Sequence, residues 1–164
     1  MAVIKAVNSK SSLGGVVDYI TNKEKTEEKL ISGKDCSPET AVEEMKTTKE
    51  LYDKTDGRQY KHIIQSFSPE DKISPEKAHQ LGREFAEKNF KGFEVVIATH
   101  KDKEHIHNHF VVNSVSHETG EKFQQSKKDL ENLKIDSDRI CEREGLSVIK
   151  EEDKKRFTYM SRNE

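Results

Sequence analysis

Apolar positions along the chain repeat with two different spacings, which predict the order of helices and strands. Alternation, together with β-branched and aromatic residues, predicts a strand, whereas a spacing of three to four residues predicts an amphipathic helix. The pattern predicts strands over 2–8, 30–32, 60–67, 93–99 and 107–115, and helices over 13–23, 38–53, 75–89 and 127–144. The order β α β α β α β β α is typical of an α+β domain, with a mainly antiparallel sheet and helices packed on it.

Several helix boundaries are predicted by residues that cap or stop a helix. The Ser-Pro pairs at 37–38 and 74–75 each place a serine at the N-cap and a proline in the first turn. Ser126 is predicted to cap the last helix in the same way. Gly145 follows that helix and fits the left-handed conformation that commonly ends one.

The composition indicates one domain with a lean core under a heavily charged surface. Of the 164 residues, 31% are hydrophobic and 37% are charged, against roughly 25% charged residues in an average soluble domain. The chain contains no apolar run of about 20 residues that could span a bilayer, and its start lacks the apolar segment of a signal peptide. We therefore expect a cytoplasmic protein with no membrane partner. Cys36 and Cys141 have no zinc-ligand spacing, and we expect both thiols to be reduced and buried.

The net charge of −2 gives no direct sign of a nucleic-acid partner, because such domains are commonly basic. If the chain binds DNA, its positive charge must be segregated onto one face. Binding would then weaken as salt rises. The candidates for that face are Lys5, Lys10, Lys23, Lys25, Lys127 and Lys128.

Four of the seven histidines lie within ten residues, at His100, His105, His107 and His109. His107 and His109 share one face of a predicted strand and lie about 6.5 Å apart, so both can reach one ion at metal–nitrogen distances of about 2.1 Å. His100 ends the preceding strand and is placed opposite His107 if the hairpin connection has about six residues. His105 is a poorer third ligand, because it would lie roughly 13 Å from His109 along one strand. We predict an open metal site formed by His100, His107 and His109, as catalysis requires.

The segment from His100 to Asn113 resembles the metal-binding motif of the relaxase/mobilisation nuclease family, which consists of HUH-type endonucleases of the MobP/VirD-like kind. The matching positions are His100, Asp102, His107, His109 and Asn113. The resemblance extends over residues 1–149. It implies an HUH endonuclease-like fold and a catalytic domain over 1–150, with 151–164 as a charged tail that begins a further C-terminal region.

Two other segments resemble motifs of the same family. Asp-Tyr-Ile-Thr at 18–21, followed by Lys25 and Thr26, is similar to the nucleophile motif, which implies that Tyr19 is the catalytic residue. The segment 62–67 is similar to a second motif, in which the position of Ser66 is associated with DNA contact. The other tyrosines, Tyr52, Tyr60 and Tyr159, have no matching motif.

The resemblance implies a DNA relaxase. Such an enzyme nicks one strand of DNA at an origin of transfer, keeps a 5′-phosphotyrosine link and releases a free 3′-hydroxyl, which initiates transfer of a conjugative or mobilisable element. The expected cofactor is one divalent ion, Mn²⁺ or Mg²⁺, although imidazole also suits Zn²⁺, Ni²⁺ and Co²⁺ in a purified sample. Single-stranded DNA and accessory relaxosome proteins are the expected partners, and no small-molecule cofactor is expected.

Further residues are weaker candidates for contacting DNA or for orienting a metal ligand. His62 and Ser66 share one strand face, and Asp102 lies in the hairpin connection. The full set consists of Lys25, His62, Ser66, Asp102, His105 and Asn113.

Other functions are compatible with parts of the sequence. Rolling-circle replication initiators and transposases share HUH chemistry, but they usually place the tyrosine after the histidines, whereas Tyr19 precedes them. A metal- or DNA-binding module without catalysis predicts that Tyr19 is replaceable. A metallohydrolase that uses metal-bound water often has a carboxylate-rich ligand set, which the histidine segment does not provide.

Overall fold

The computed structural model describes residues 2–7, 11–101 and 105–146, so Lys10, Asp102 and the chain after 146 lie outside the described residues. Its strands are β1 (Ala2–Val7), β2 (Ile31–Lys34), β3 (Tyr60–Phe67), β4 (Val95–His100) and β5 (His107–Asn113). Its helices are α1 (Leu13–Ile20), α2 (Ala41–Leu51), α3 (Pro75–Asn89) and α4 (Lys127–Arg143). This order confirms the predicted one, and two short 3₁₀ turns occur at Glu28–Leu30 and Pro69–Asp71.

The five strands form one antiparallel sheet in the order β1-β3-β5-β4-β2. The α+β prediction with a mainly antiparallel sheet is therefore confirmed. β4 and β5 are neighbours, as expected for the predicted hairpin, and β5 lies in the centre of the sheet. Among the described residues, no helix is both long and apolar enough to cross a membrane.

Helices cover both faces of the sheet, and strand alternation decides which side chains each face presents. We call the face that carries His62, His100, His107 and His109 the histidine face. On that face, α1 and α2 pack against Val96, Ala98 and Val111. On the opposite face, α3 and α4 pack against alternate residues of the same strands, among them Ile63, Ile97 and Phe110.

The apolar spacing of α1 places Tyr19 outside the core. Leu13, Val16, Val17 and Ile20 are all buried, and each buried side chain of this kind contributes about 1.5–3 kcal/mol relative to exposure. Ser12 caps the helix by accepting a hydrogen bond from the Gly15 amide. Tyr19 lies off this apolar stripe, and 49% of its surface is exposed.

One helix start differs from the sequence prediction. Ser37 was expected to cap α2, but the helix begins at Ala41 with Thr40 in the cap position. The Ser37 hydroxyl instead donates to the carboxylate of Glu39. The carboxylate of Glu44 accepts hydrogen bonds from the Ser37 amide and the Thr40 hydroxyl, so the segment before α2 folds into a turn. At the other caps, Ser74 and Ser126 are confirmed, and Gly145 adopts the predicted left-handed conformation with a φ of 74°.

A chain of buried side-chain hydrogen bonds crosses the opposite face of the sheet. Thr99 of β4 donates to Asn108 of β5 at 2.6 Å, and the Asn108 amide donates to Gln65 of β3 at 3.0 Å. The chain continues through His79 to Ser32 at one end and through Gln65 to Ser137 at the other. Burial lowers the pKa of His79 to about 4, so its ring is neutral and links two hydroxyl groups. These bonds join the three central strands directly behind the histidines.

We expect Gly82→Ala to destabilise the protein, because α3 passes very close to this hydrogen-bonded chain at Gly82. A Cβ at that position would lie 2.6 Å from Nδ2 and 2.9 Å from Cγ of Asn108. Overpacking of this kind costs about 1–3 kcal/mol, and each kcal/mol lowers the melting temperature by about 2–4 °C in a domain of this size. Thermal unfolding followed by circular dichroism measures the effect.

Gly14→Ala is the matched control, since a Cβ at Gly14 meets no described atom within 4 Å. Alanine favours a helix over glycine by up to about 1 kcal/mol, so Gly14→Ala should leave the melting temperature unchanged or raise it. A Gly82→Ala protein that melts with or above wild type would contradict the close contact at Asn108.

Candidate active site

The strand register brings the predicted histidines together. His100 lies opposite His107, and Ala98 lies opposite His109, which confirms the predicted pairing of His100 with His107. The ring centroids of His100 and His109 are 3.9 Å apart, and those of His107 and His109 are 6.2 Å apart. Three imidazoles therefore meet on two adjacent strands in the centre of the sheet.

His62 and Ser66 extend this cluster onto β3. The Nε2 atom of His62 lies 2.9 Å from Nδ1 of His109, and the two rings are 5.2 Å apart. Ser66 lies opposite His107 in the strand register and is half-buried. The structure thus places both of these weaker candidates beside the predicted ligands.

Burial keeps the deepest imidazoles neutral. It lowers the pKa of His109 to about 2, with further lowering by the neighbouring histidines and Lys25. Burial, and then His100, lowers the pKa of His62 to about 4. Both rings are therefore uncharged near pH 7, which is the protonation state that a metal ligand needs.

Tyr19 lies above the cluster at the end of α1. Its ring centroid is 6.0 Å from that of His100 and 6.3 Å from that of His109. The helix end is tied to the cluster because Nε2 of His100 donates a hydrogen bond to the carbonyl of Ile20 at 2.8 Å. A carbonyl can only accept, so Nε2 of His100 carries a proton, and in the neutral ring the lone pair is then on Nδ1.

The segment that follows α1 is joined to the end of β4, and this fixes Lys25. The amide of Lys101 donates to the Lys25 carbonyl at 2.9 Å, and the buried Thr26 hydroxyl donates to the Thr99 carbonyl at 2.6 Å. The ammonium of Lys25 lies 5.3 Å from the centroid of the Tyr19 ring. A positive charge is thus held beside the tyrosine. The carbonyl of Ile20 and the side chain of Thr26 were not among the predicted site residues.

The remaining candidates lie in different environments. The ring of His105 is 4.4 Å from that of His107, at the edge of the cluster. Asn113 lies four residues beyond His109 on β5, roughly 13 Å away. Its buried amide donates to the carbonyl of Met45 and the carboxylate of Glu94, so it joins α2 to the sheet. Asp102 lies outside the described residues.

The competing tyrosines have other contacts. The hydroxyl of Tyr60 donates to the Ser11 carbonyl and that of Tyr52 donates to the His117 carbonyl. Tyr159 lies outside the described residues. Among the described tyrosines, Tyr19 is therefore the one whose ring the structure places against the histidine cluster.

Only some of the lysines predicted to form one basic face lie on the same side of the sheet. Lys5 is exposed and lies opposite Ile64, so its side chain shares the histidine face, and Lys25 lies beside Tyr19. Lys127 and Lys128 begin α4, which packs on the opposite face, so their assignment to the same basic face is wrong. Lys23 is exposed in the turn after α1.

The donor set suits a divalent ion, although the rings do not converge on one point in this conformation. Among the described side chains, no group of three histidines, cysteines or acids is arranged to hold a metal. His100 and His109 instead stack with a tilt of 30°. The three candidates nevertheless occupy neighbouring positions of two paired strands, and their convergence on one ion would require rotation about their side-chain torsions. The chemistry of neutral imidazoles fits Zn²⁺, Ni²⁺ and Co²⁺, whereas Mn²⁺ or Mg²⁺ would also need oxygen ligands such as water in the open positions.

The antiparallel sheet, with an imidazole cluster on its central strands and a tyrosine above it, is an α+β arrangement consistent with a nuclease domain. Comparison with known families leads to the same class. Residues 19–146 match the model of the family described as "Relaxase: MobA/VirD2-like, nuclease domain". The chain belongs to this relaxase family, which confirms the resemblance seen in its sequence motifs.

Related proteins include proteins named rlx and a protein named as a relaxase. Two proteins named rlx from Staphylococcus aureus are 39% identical over 158 residues and 43% identical over 148 residues, covering 96% and 90% of this chain. The group II intron-interrupted relaxase LtrB of Lactococcus lactis subsp. cremoris is 51% identical over 63 residues, or 38% of this chain and 11% of LtrB. The chain spans about half the length of the rlx proteins it matches, since the aligned parts make up 46% and 45% of them.

Proposed function

We propose that this domain nicks one strand of DNA through Tyr19 and remains joined to the 5′ phosphate of the cut strand. The position of Tyr19 carries the proposal. Its ring lies about 6 Å from two histidine rings and is covered by Lys25. The matching relaxase family model and the relaxase name of LtrB support the same activity. The proposed role of the whole protein is to start transfer of a mobile element at its origin, together with accessory proteins.

In the proposed step, the hydroxyl oxygen of Tyr19 bonds to phosphorus, and the bond from phosphorus to the 3′ oxygen breaks. The hydroxyl proton passes to water or to a neutral imidazole, and the departing 3′ oxygen takes up a proton. One phosphorus–oxygen bond replaces another, so the covalent link retains the energy of the phosphodiester. The reverse step can therefore rejoin the strand without ATP.

The surrounding side chains bind and orient the phosphate. Lys25 offers a positive charge beside Tyr19, and Ser66 offers a hydroxyl opposite His107. His62 holds the ring of His109 through its hydrogen bond, as partners of metal-ligating histidines commonly do. When bound by His100, His107 and His109, an Mn²⁺ or Mg²⁺ ion supplies Lewis-acid stabilisation of the charge on the phosphate oxygens.

A second HUH activity, that of a replication initiator or a transposase, uses the same chemistry. The position of Tyr19 ahead of the histidines in the chain favours a relaxase over both. The matching family model also names a relaxase nuclease domain.

A covalent protein–DNA band tests the proposal. The protein is incubated with Mn²⁺ and with pooled, labelled single-stranded oligonucleotides that cover the element encoding it, and the products are separated under denaturing conditions. We expect a band that survives denaturation, shifts on protease treatment and is lost when EDTA removes the ion. The same pool annealed into duplexes is the control and should give little adduct. If the protein binds DNA but forms no denaturation-resistant band under any of these conditions, the result would favour a non-catalytic module.

A further inference from the structure

A basic pocket lies one strand position beyond His62, at the beginning of β3. Its volume is about 390 Å³, and its lining includes Val7, Ser11, Arg58, Tyr60 and Lys61. Val7 lies opposite His62 in the strand register and shares the histidine face with Tyr60, whereas Lys61 lies opposite Val112 and belongs to the other face. The pocket therefore lies at the end of the sheet, next to the histidine face. None of the contacts described for the candidate active site involves Arg58 or Lys61.

Lys61 is a buried cation without an anion beside it. Only 7% of its surface is exposed, and in the described part of the chain it forms no ion pair or side-chain hydrogen bond. Burial lowers the pKa of Lys61, and the nearby positive charge of Arg58 lowers it further. By contrast, Lys34 is 5% exposed and pairs with Asp35 at 2.8 Å.

Two cations line one pocket, and its described lining includes no carboxylate, a combination that favours an anionic ligand. A buried, unpaired charge is costly, and an entering phosphate would relieve both the desolvation of Lys61 and its repulsion from Arg58. Arginine also offers a planar fork of donors that matches two phosphate oxygens. The geometry is therefore that of an anion-binding pocket.

We propose that this pocket binds a backbone phosphate of the single-stranded DNA whose cleavage site lies at Tyr19, an inference that rests on the proposed function. The exposed side chain of Lys5 and the half-buried Val7 and Ile64 form the open surface between the pocket and the cluster. His62, which adjoins the pocket, lies 2.9 Å from His109 beneath Tyr19. The bound phosphate therefore lies within a few nucleotides of the scissile one.

The salt dependence of DNA binding tests the pocket. Fluorescence anisotropy measures the affinity of the protein for a labelled oligothymidylate of about 24 nucleotides over a series of salt concentrations. Arg58→Gln and Lys61→Met should each weaken binding roughly three- to tenfold and reduce the slope of log K against log salt by about 0.7. The matched controls Arg139→Gln and Lys34→Met remove the same charges elsewhere and should keep the wild-type slope. Thermal unfolding shows whether each variant folds. If Lys61→Met fails to fold, Arg58→Gln alone provides the test, because Arg58 is exposed.

The outcomes separate the pocket from the chemistry at Tyr19, because anisotropy reports binding alone. If both pocket variants keep the wild-type slope of log K against log salt, phosphate binding by the pocket is rejected, even if Tyr19 forms its adduct. Equal losses in the control variants would also overturn it, since they would indicate a general effect of net charge. Inorganic phosphate is the second probe, followed through the amide NMR signals of residues 57–59. Shifts with free phosphate, combined with unchanged DNA slopes, would assign the pocket to a free anion and reject the DNA strand.

Discussion

Tyr19→Phe is expected to abolish the covalent DNA adduct while leaving DNA binding close to wild type. The substitution removes one oxygen and keeps the ring against His100 and His109. Loss of a covalent nucleophile reduces turnover by about a thousandfold or more. Lys25 and the histidines remain in place, so affinity for single-stranded DNA should change little. The denaturing gel measures the adduct, and fluorescence anisotropy measures binding.

Tyr52→Phe is the matched control for this substitution. Tyr52 is also partly exposed, at 37%, but its hydroxyl donates to the His117 carbonyl away from the histidine cluster. This variant should form the adduct at the wild-type level. Peptide mapping of the wild-type adduct adds an independent check. An adduct on Tyr52, Tyr60, Tyr159 or a histidine would keep the proposed chemistry but reject Tyr19 as its nucleophile.

His107→Ala is expected to remove most of the bound metal and to abolish nicking. Loss of a group that merely orients a ligand already weakens metal binding by about 10–100-fold, so loss of one of three ligands should exceed roughly 100-fold. Isothermal titration with Mn²⁺ measures the affinity, and the gel assay measures nicking. His107 is half-buried at the start of β5, so the fold should survive its truncation.

Two further histidine variants show whether the effect is specific. His117→Ala removes a histidine that pairs with Asp35 and should leave metal affinity unchanged. His105→Ala should have a much smaller effect than His107→Ala, although its ring touches that of His107. Full metal occupancy in His107→Ala, or equal losses in His105→Ala, would require a different set of ligands.

The sequence predicted the order of elements and the centre of the candidate site because both depend on local rules. Strand alternation places His107 and His109 on one face, and a connection of six residues places His100 opposite His107. The apolar spacing of α1 likewise predicts which of its residues are buried. The contact between Tyr19 and the cluster came from family resemblance, because α1 and β4 are joined by tertiary packing alone.

Other features depend on packing that no local pattern encodes. The positions of Lys127 and Lys128 follow from the docking of α4 on the opposite face. The late start of α2 follows from the contacts of Glu44 with the preceding turn. The burial of Lys61 accompanies its place on β3 opposite Val112 of β5. In each of these three cases, the residues that determine the observed position lie in another part of the chain, which the local sequence pattern does not include.

The hydrogen bond between His100 and the Ile20 carbonyl joins residues 80 positions apart in the sequence, so the ribosome makes its two partners at different times. Tyr19 leaves the ribosome well before His100, His107 and His109. At about 5–20 residues per second, the delay is roughly 4–18 s. Because β5 is the central strand and domains fold as units, the tyrosine meets its histidines only after β5 has been made. Under the proposed function, a nascent chain would therefore display the tyrosine without its histidines, and the capacity to cut DNA would arise only once the central strand is in place.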